Sequence, residues 1–375
     1  MPAEPETRRI RYVDLAAQFR AEEERLMGAI RGVFESGFFV GGSPIEALEQ
    51  KIAAYLGVRE VITLNSGTDA LIMTMKAYGI GPGDEVITPP NSFVASTAAI
   101  VAIGATPVFC DVLADQNIDP VAIGRALTEK TRAIMPVHLT GRVADMGPIM
   151  AIAAERDILV IEDAAQSFGS RYDGKFAGAI GHAGCFSAHP LKNLNAAGDA
   201  GFVTTNDSEI AAKLRIMRNH GLIDRDTVME WGTVSRLDTM QAAILLTRLE
   251  TVDDIIAARR ANATRYRDGL AKLDPQRFYI PACRNIEFNT FHTFVVQAEN
   301  RDALRAHLAE WGIETAIHYP KPIHLQPAAH GLGYKAGDFP VTEEQSTRIV
   351  SLPIHQFLSA EDIEYICTAI GDFYA

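Results

Sequence analysis

The sequence has few cysteines and no long apolar run. Its four cysteines lie far apart and form no CxxC pair, so their spacing indicates neither a zinc cage nor a disulfide-stapled secreted fold. No apolar run approaches the ~18 residues that a membrane-spanning helix needs. The charged N-terminal segment, residues 1–11, has no apolar core. We therefore expect no export signal and a cytoplasmic protein.

Basic residues are also fewer than acidic residues. The chain has 35 lysine and arginine residues against 47 aspartate and glutamate residues, a formal net charge of −12. An acidic chain without basic runs is a poor candidate for binding nucleic acid or an anionic membrane surface. Hydrophobic residues make up 47% of the chain and charged residues 22%, which excludes a disordered or collagen-like protein. Any bound phosphate must be held by a local arrangement of donors.

Short apolar runs alternate with longer stretches in the first two thirds of the chain, and this order predicts an α/β domain. Because the runs are continuous rather than alternating, they indicate strands covered on both faces, as in a parallel sheet flanked by helices. Helical spacing over residues 13–56, broken at 37–43, predicts two helices before the first strand. The predicted strands are residues 61–64, 85–88, 106–109, 133–137 and 158–161.

The pattern changes near residue 250 to that of a smaller α+β domain. An alternating stretch at 288–296, a helix at 302–311 and a strand at 313–317 follow a long solvated helix. We therefore expect a large domain over residues 1–250, which includes an N-terminal helical arm, and a small C-terminal domain over residues 251–375.

Two candidate sites follow predicted strands. Residues 65–71 (Asn-Ser-Gly-Thr-Asp-Ala-Leu) stand where a strand passes into a helix. The free N–H groups of a helix N-terminus suit a phosphate group, although the same residue types also cap ordinary helices. Glu162 and Asp163 follow the strand at 158–161, at the edge where α/β proteins bind ligands. Asp163 has a second interpretation, as the cap of a following helix.

Lys192 lies among apolar and small residues in a segment punctuated by proline and glycine. Most lysines are solvated surface charges, but partial desolvation here would lower the pKa and leave a neutral amine able to condense with a carbonyl. A phosphate cup, an acid behind a strand and a secluded lysine are together the parts that hold pyridoxal 5'-phosphate (PLP). The cup would take the phosphate, Asp163 would keep the pyridine nitrogen protonated, and Lys192 would form the covalent link.

Ordered sequence matches to one protein family run through most of the chain. They lie at residues 13–15, 65–71, 90–96, 136–141, 162–166 (Glu-Asp-Ala-Ala-Gln), 186–199, 218–221, 235–238, 241–243 and 318–320 (His-Tyr-Pro). In these stretches the sequence resembles the DegT/DnrJ/EryC1/StrS family of PLP-dependent sugar aminotransferases. The resemblance implies a fold-type-I, aspartate aminotransferase-like fold and a homodimer with its active sites at the subunit interface.

The resemblance also implies roles for residues around the cofactor ring. Lys192 would be the Schiff-base lysine and Asp163 the partner of the pyridine nitrogen. Gln166 would donate to the ring hydroxyl oxygen, and Phe93 would stack on the ring.

Five further residues receive roles from the resemblance. Gly67, Thr68 and Ser187 would hold the phosphate. His318 and Tyr319 would line the substrate cleft.

One segment departs from the family pattern. Members commonly carry Gly-Tyr-Asn-Ser-Arg, whose asparagine reaches the phosphate from the neighbouring subunit, whereas residues 232–236 here read Gly-Thr-Val-Ser-Arg. Val234 has no side-chain hydrogen-bond donor. Either Thr233 or Ser235 replaces the asparagine, or the phosphate has one contact fewer.

The activity that the resemblance implies is transamination of a nucleotide-linked keto-sugar to an amino-sugar, with L-glutamate as the amino donor. Lys192 would act as general base and acid. Two alternatives stay open, namely a keto-cyclitol acceptor and a non-catalytic regulator or binding protein that kept the fold. A deoxygenating relative would carry histidine in place of Lys192.

Other cofactors are disfavoured by the sequence. Gly79, Gly81 and Gly83 precede a predicted strand rather than a helix, so they do not form a dinucleotide fingerprint. The C-terminal histidines at 318, 324 and 330 have neither a cysteine partner nor a helical pairing with glutamate, so we expect no metal.

Overall fold

The computed structural model describes residues 8–375. The first seven residues, which include most of the charged N-terminal segment discussed above, lie outside the described part. No helix within residues 8–375 is both long and apolar enough to cross a membrane.

Short strands and longer helices alternate along most of the described chain. The strands are β1 (Glu60–Leu64), β2 (Glu85–Thr88), β3 (Thr106–Phe109), β4 (Thr131–Ile134), β5 (Leu159–Asp163), β6 (Arg171–Tyr172), β7 (Lys175–Phe176), β8 (Ala183–Ser187), β9 (Gly201–Thr205), β10 (Phe278–Tyr279), β11 (Glu287–Phe288), β12 (Phe294–Ala298) and β13 (Ile349–Leu352). The helices are α1 (Leu15–Ser36), α2 (Ser43–Leu56), α3 (Gly67–Ala77), α4 (Val94–Ala102), α5 (Pro120–Ala126), α6 (Met146–Arg156), α7 (Ser208–Met217), α8 (Thr239–Leu249), α9 (Val252–Leu270), α10 (Arg301–Glu310), α11 (Pro340–Arg348) and α12 (Ala360–Tyr374).

A seven-stranded sheet organises the large α/β region, in the order β1-β9-β8-β5-β4-β2-β3. Its pairs are parallel from β8 to β3, and β9 runs antiparallel to both of its neighbours. The interiors of β1 and β2 are buried on both faces, as their continuous apolar sequences predict. The predicted α/β fold with a mostly parallel sheet is therefore confirmed.

A smaller antiparallel sheet, in the order β10-β12-β13, packs with α9, α10 and α12 around a second apolar core. Tyr266 of α9 stacks on Phe294 at the start of β12, with ring centroids 4.8 Å apart. A third, three-stranded sheet joins β11 to the β6–β7 hairpin. The large sheet ends at residue 205 and the small sheet begins at residue 278, and the domain boundary at residue 250 stays a prediction.

Two sequence-based predictions in the C-terminal part were wrong. Residues 313–317 form no strand, because Ile313 pairs with Ile10 while Ala316 pairs with Ser351, and a change of partner within three residues prevents a continuous ladder. The alternating stretch at 288–296 is not one continuous strand, since Phe288 ends β11 and β12 begins only at Phe294. Before it, Phe291 has a φ of 49°, so the chain turns there instead of extending.

A buried ion pair ties the helical arm to the rest of the large region. Glu22 of α1 accepts hydrogen bonds from two nitrogens of Arg248 on α8, and the side chains are 7% and 9% exposed. Arg248 also donates from Nη1 to the carbonyl oxygens of Asn195 and Ala196, at 2.8 and 3.2 Å. The pair therefore anchors the loop that follows Lys192.

We expect Glu22→Ala to lower the free energy of unfolding by about 3–5 kcal/mol, because it leaves the Arg248 guanidinium buried without a carboxylate. Urea unfolding measures this loss. The matched control is Arg25→Ala, which breaks a pair with Glu250 that joins α1 to the same end of α8, with side chains 45% and 58% exposed. Its loss should stay below about 1 kcal/mol. Equal losses for the two variants would contradict the role of burial.

Candidate active site

A cavity of about 370 Å³ lies at the carboxyl ends of β5 and β8, within the usual size range of small-molecule sites. The structure brings to its wall all of the residues to which the sequence assigned a site role. They are Gly67, Thr68, Phe93, Asp163, Gln166, Ser187, Lys192, His318 and Tyr319.

The start of α3 forms a close-fitting cradle on one side of the cavity. The Ser66 side chain caps the helix by accepting from the Asp69 amide at 3.0 Å. The amides of Gly67 and Thr68 lie in the first turn, where N–H groups lack partners within the helix. A Cβ atom on Gly67 would lie 2.7 Å from the Cβ of Ser187. Only glycine fits there, and the exposed N–H groups suit a phosphate.

The segment that departs from the family pattern lies beside this cradle. The Ser235 hydroxyl is buried and donates to Asp69 Oδ2 at 2.7 Å, so it is committed within its own chain. Thr233 and Val234 are exposed. Of the two replacements that the sequence left open, Thr233 is the one whose side chain is accessible.

Asp163 is the last residue of β5, and its carboxylate is 4% exposed. Ser96 Oγ donates to Oδ2 at 2.7 Å, and the Ala165 amide donates to Oδ1 at 3.2 Å. Burial raises the pKa of Asp163, and the Ser96 hydrogen bond and the Lys192 charge oppose that rise. No helix begins directly after β5, so the interpretation of Asp163 as a helix cap is wrong.

Glu162, directly before Asp163, is hydrogen-bonded inside the protein and does not line the cavity. Its carboxylate is fully buried and accepts hydrogen bonds from the amides of residues 178, 180 and 181. It also lies 2.7 Å from Nε2 of His138. The amide of Ala144 donates to Nδ1 of that ring at 3.2 Å, so the His138 proton belongs on Nε2. These contacts fix the strand end that carries Asp163.

Lys192 lies in the loop between β8 and β9 and faces the same cavity. Burial lowers its pKa from 10.5 to about 8, and the Asp163 carboxylate opposes this effect. The loop is held on both sides of the lysine, since Asn193 Nδ2 donates to the Thr290 carbonyl oxygen and Asn195 Nδ2 to that of Pro190. The loop that carries Lys192 is therefore held in place, and its amine loses a proton more easily than a solvated lysine does.

Gln166, Phe93 and Tyr319 form another part of the wall. The Thr140 amide donates to Gln166 Oε1 at 2.8 Å, which directs Gln166 Nε2 toward the Tyr319 hydroxyl, 3.4 Å away. The rings of Phe93 and Tyr319 lie 5.7 Å apart. Phe93 is 55% exposed, so its face is free to contact a flat ligand.

His318 contributes a neutral ring to the substrate side. Its Nδ1 lies 2.8 Å from Ser351 Oγ, and its ring stacks on Tyr12 at 5.9 Å. Burial lowers the pKa of His318 to about 4, and the nearby Lys192 charge adds to this effect. The ring therefore offers hydrogen bonds rather than charge at neutral pH.

Ser96 and His292 are among the wall residues to which the sequence assigned no role. Ser96 lies in one of the family-matched stretches, but nothing local indicates its contact with Asp163, which is 67 residues away. His292 lies in the irregular turn before β12 and also lines the cavity. No local pattern points to it.

A phosphate cradle, a buried acid and a desolvated lysine around one cavity define the site of a PLP enzyme. The chain matches the DegT/DnrJ/EryC1/StrS aminotransferase family over residues 20–371. It belongs to that family.

Two relatives of known name cover nearly the whole chain. A "Pleiotropic regulatory protein" of Geobacillus stearothermophilus is 40% identical over 96% of this chain and 98% of its own length. The dTDP-3-amino-3,4,6-trideoxy-alpha-D-glucose transaminase of Streptomyces venezuelae is 38% identical over 100% of this chain and 98% of its own length.

Two solved structures have the same fold. DesV from S. venezuelae, solved in complex with a ketimine intermediate, has a TM-score of 0.96 and 38% identity over 98% of this chain and 99% of its own. NtdA from Bacillus subtilis, solved with bound cofactor PMP, has a TM-score of 0.91 and 29% identity over 99% of this chain and 86% of its own.

We expect Lys192→Met to stabilise the cofactor-free protein at neutral pH. The folded-state pKa of Lys192, about 8, lies below the unfolded value of 10.5, so the unfolded chain binds more protons between these values. Stability should therefore rise with pH across this window. Below pH 8 the buried ammonium costs on the order of 1–3 kcal/mol, which methionine removes.

Urea unfolding at several pH values measures this effect. The advantage of Lys192→Met should shrink as the pH rises from 8 toward 10.5. Lys51→Met, on the exposed face of α2, is the control and should give a difference that does not change with pH. A constant advantage for Lys192→Met would contradict the lowered pKa.

Proposed function

We propose that this protein is a PLP-dependent aminotransferase that converts a nucleotide-linked keto-sugar to an amino-sugar with L-glutamate as the donor. The observation that carries the proposal is the pairing of a desolvated Lys192 with a buried Asp163 beside a phosphate cradle. The name of the S. venezuelae relative supports a nucleotide-linked sugar and amination at C3.

The cavity fits the cofactor at three points. Gly67, Thr68 and Ser187 would hold the phosphate, and Asp163 would pair with the pyridine nitrogen. Lys192 would hold the cofactor covalently. When bound, PLP supplies an electron sink for the carbon that loses its proton. A protonated ring nitrogen would also supply the counter-charge that the buried Asp163 carboxylate lacks.

Lys192 is the proposed acid and base. Only the unprotonated amine can take a proton from the α-carbon of the amino donor, and the lowered pKa supplies that form near neutral pH. In the second half of the reaction, the protonated amine returns a proton to the sugar carbon that carries the new nitrogen. Phe93 and Tyr319 would keep the reacting groups in position between these transfers.

A second subunit and a cytoplasmic location belong to the same proposal. Several large apolar side chains are exposed on the single chain, among them Phe34 (64%), Phe38 (69%) and Trp231 (96%). Exposure on this scale supports a subunit interface, and we propose a homodimer.

The G. stearothermophilus relative supports a second candidate function, because its name is that of a regulatory protein. A regulator would need the fold but not the chemistry. The cavity here contains both Lys192 and Asp163, in environments that shift both pKa values. This favours the enzyme, and a keto-cyclitol remains the alternative acceptor.

We expect borohydride reduction of the purified, PLP-loaded protein to leave a pyridoxyl group on Lys192, because that amine is the desolvated one in the cavity. Peptide mapping by mass spectrometry locates the group. Lys192→Ala should lack it and lose transamination while its circular dichroism stays unchanged. A pyridoxyl group on another lysine in the wild-type protein would contradict the assignment.

Asp163→Asn should retain the cofactor but lower kcat by about a hundredfold or more, since an amide cannot stabilise a protonated ring nitrogen as a carboxylate does. Absorbance of the bound cofactor and steady-state kinetics measure the two effects. Asp157→Asn, an exposed residue in the turn before β5, is the control and should change neither. A normal rate in Asp163→Asn would remove the residue from the mechanism.

The substrate is tested with dTDP- and UDP-linked 3-keto and 4-keto sugars, each with L-glutamate, followed by product mass and position of the new amine. We expect turnover of a 3-keto sugar. A PLP-loaded protein that turns over no keto-sugar and no keto-cyclitol would support the regulator instead.

A further inference from the structure

His292 lines the cavity but lies about 100 residues after Lys192, the last of the residues assigned to the cofactor. It lies between β11 and β12, directly after Phe291, whose φ of 49° turns the chain. The residue lines the cavity together with Lys192 and His318. Its Nδ1 atom is buried and has no hydrogen-bond partner among residues 8–375.

The buried Nδ1 indicates which ring nitrogen carries the proton. Buried N–H groups without an acceptor are rarer in proteins than acceptors with an unused lone pair. The neutral ring is therefore favoured with its proton on Nε2, which is the nitrogen left for the cavity. Burial lowers the pKa of His292 well below 6.5, and the Lys192 and Arg259 charges add to this effect. His292 thus presents a neutral N–H donor.

Arg259 of α9 places positive charge directly behind His292. It is 8% exposed, and its Nη1 donates to the carbonyl oxygens of Phe291 and His292 at 3.2 and 3.1 Å. Its Nε is buried without a partner, and no carboxylate within the described chain forms a salt bridge with it. Buried cations are normally paired. The region around His292 therefore favours an anion.

The cavity needs such a contact for the amino donor. Arginine is the usual bidentate partner of a carboxylate, but none lines the described cavity wall. The cradle at Gly67 and Thr68 is assigned to the cofactor phosphate, and Asp163 to its ring. His292 is a donor in this wall that has no other assigned role and has an unpaired cation behind it.

We propose that His292 is a donor-binding residue, whose Nε2–H hydrogen-bonds a carboxylate of the acidic amino donor while Arg259 orients its main chain. This inference rests on the proposed transaminase function. It assigns the specificity for an acidic donor to a neutral histidine backed by a buried guanidinium. The nucleotide sugar would not depend on this contact.

The test compares His292→Leu with His292→Asn in the PLP-loaded protein. Calorimetry measures the Kd of glutarate, a dicarboxylate that cannot react, and steady-state kinetics gives the KM values for L-glutamate and for the keto-sugar. Loss of a hydrogen bond to a charged group should raise the glutarate Kd and the glutamate KM about ten- to a hundredfold in His292→Leu. The keto-sugar KM should stay within about twofold. His292→Asn, which retains an N–H donor, should recover part of the loss.

His355→Leu is the matched control. His355 also has a buried Nδ1 without a described partner and lies near Arg259, but its Nε2 bonds to the Arg11 carbonyl oxygen and it does not line this cavity. Its glutarate Kd and glutamate KM should match those of the wild type.

Two outcomes would overturn the inference alone. One is an active His292→Leu variant with unchanged glutarate affinity, and the other is a rise in the keto-sugar KM without a rise in the glutamate KM, which would place the sugar at His292. A wild-type protein that transaminates no keto-sugar with glutamate would instead overturn the proposed function together with this inference.

Discussion

The burial of the Asp163 carboxylate is the constraint on which the site depends. Two hydrogen bonds, from Ser96 and from the Ala165 amide, compensate only part of its desolvation, and its pKa stays raised. The Lys192 charge also opposes this rise, and Lys192 is itself desolvated. A protonated ring nitrogen beside Asp163 would supply the positive charge that stabilises the buried carboxylate. Asp163 would then stabilise the Lys192 ammonium less, so loading the cofactor favours the neutral amine that the reaction needs.

Two adjacent acids at the end of β5 have opposite roles because strand side chains alternate. Glu162 points away from the cavity and is saturated by three amides and His138. Asp163 points into the cavity and keeps spare acceptor capacity. Glu162 fixes the main chain at the end of β5, and Asp163 is therefore held with little conformational freedom. Preorganisation of this kind lets a buried charge act in a transition state without rearrangement.

The large sheet could be predicted from the sequence wherever apolar runs were continuous. β2 and β3 have their predicted bounds, and β1 begins one residue earlier. β8 and β9 were not predicted as strands, because glycine, serine and threonine interrupt their apolar sequences. The antiparallel direction of β9 could not be predicted either, because burial on both faces does not indicate the direction of a strand. The predicted strand at 313–317 was wrong for a related reason, since a sequence pattern does not show that Ile313 and Ala316 pair with two different partners.

The candidate site was predictable to the extent that its residues follow strand ends. The cradle after β1 and the acid at the end of β5 obey the rule that ligands bind at the carboxyl ends of parallel strands. The resemblance to the family supplied Gln166, Phe93 and the substrate-side residues. Neither source assigned a role to Ser96 or His292, because their contacts depend on long-range packing. His292 stands in a turn that the alternating sequence pattern wrongly assigned to a strand.

The cavity wall is built from two parts of the chain, and this division suggests how one cofactor site can serve several substrates. The cradle, Asp163 and Lys192 come from the large sheet and its loops, whereas His292, His318 and Tyr319 come from the C-terminal third. The C-terminal side presents neutral rings and a phenol, which act through the direction of their hydrogen bonds rather than through charge. Directional contacts discriminate strongly between ligands that satisfy them and ligands that leave them unpaired. A change in the C-terminal loops would therefore alter substrate choice while Asp163 and Lys192 kept their positions in the large region and their chemistry.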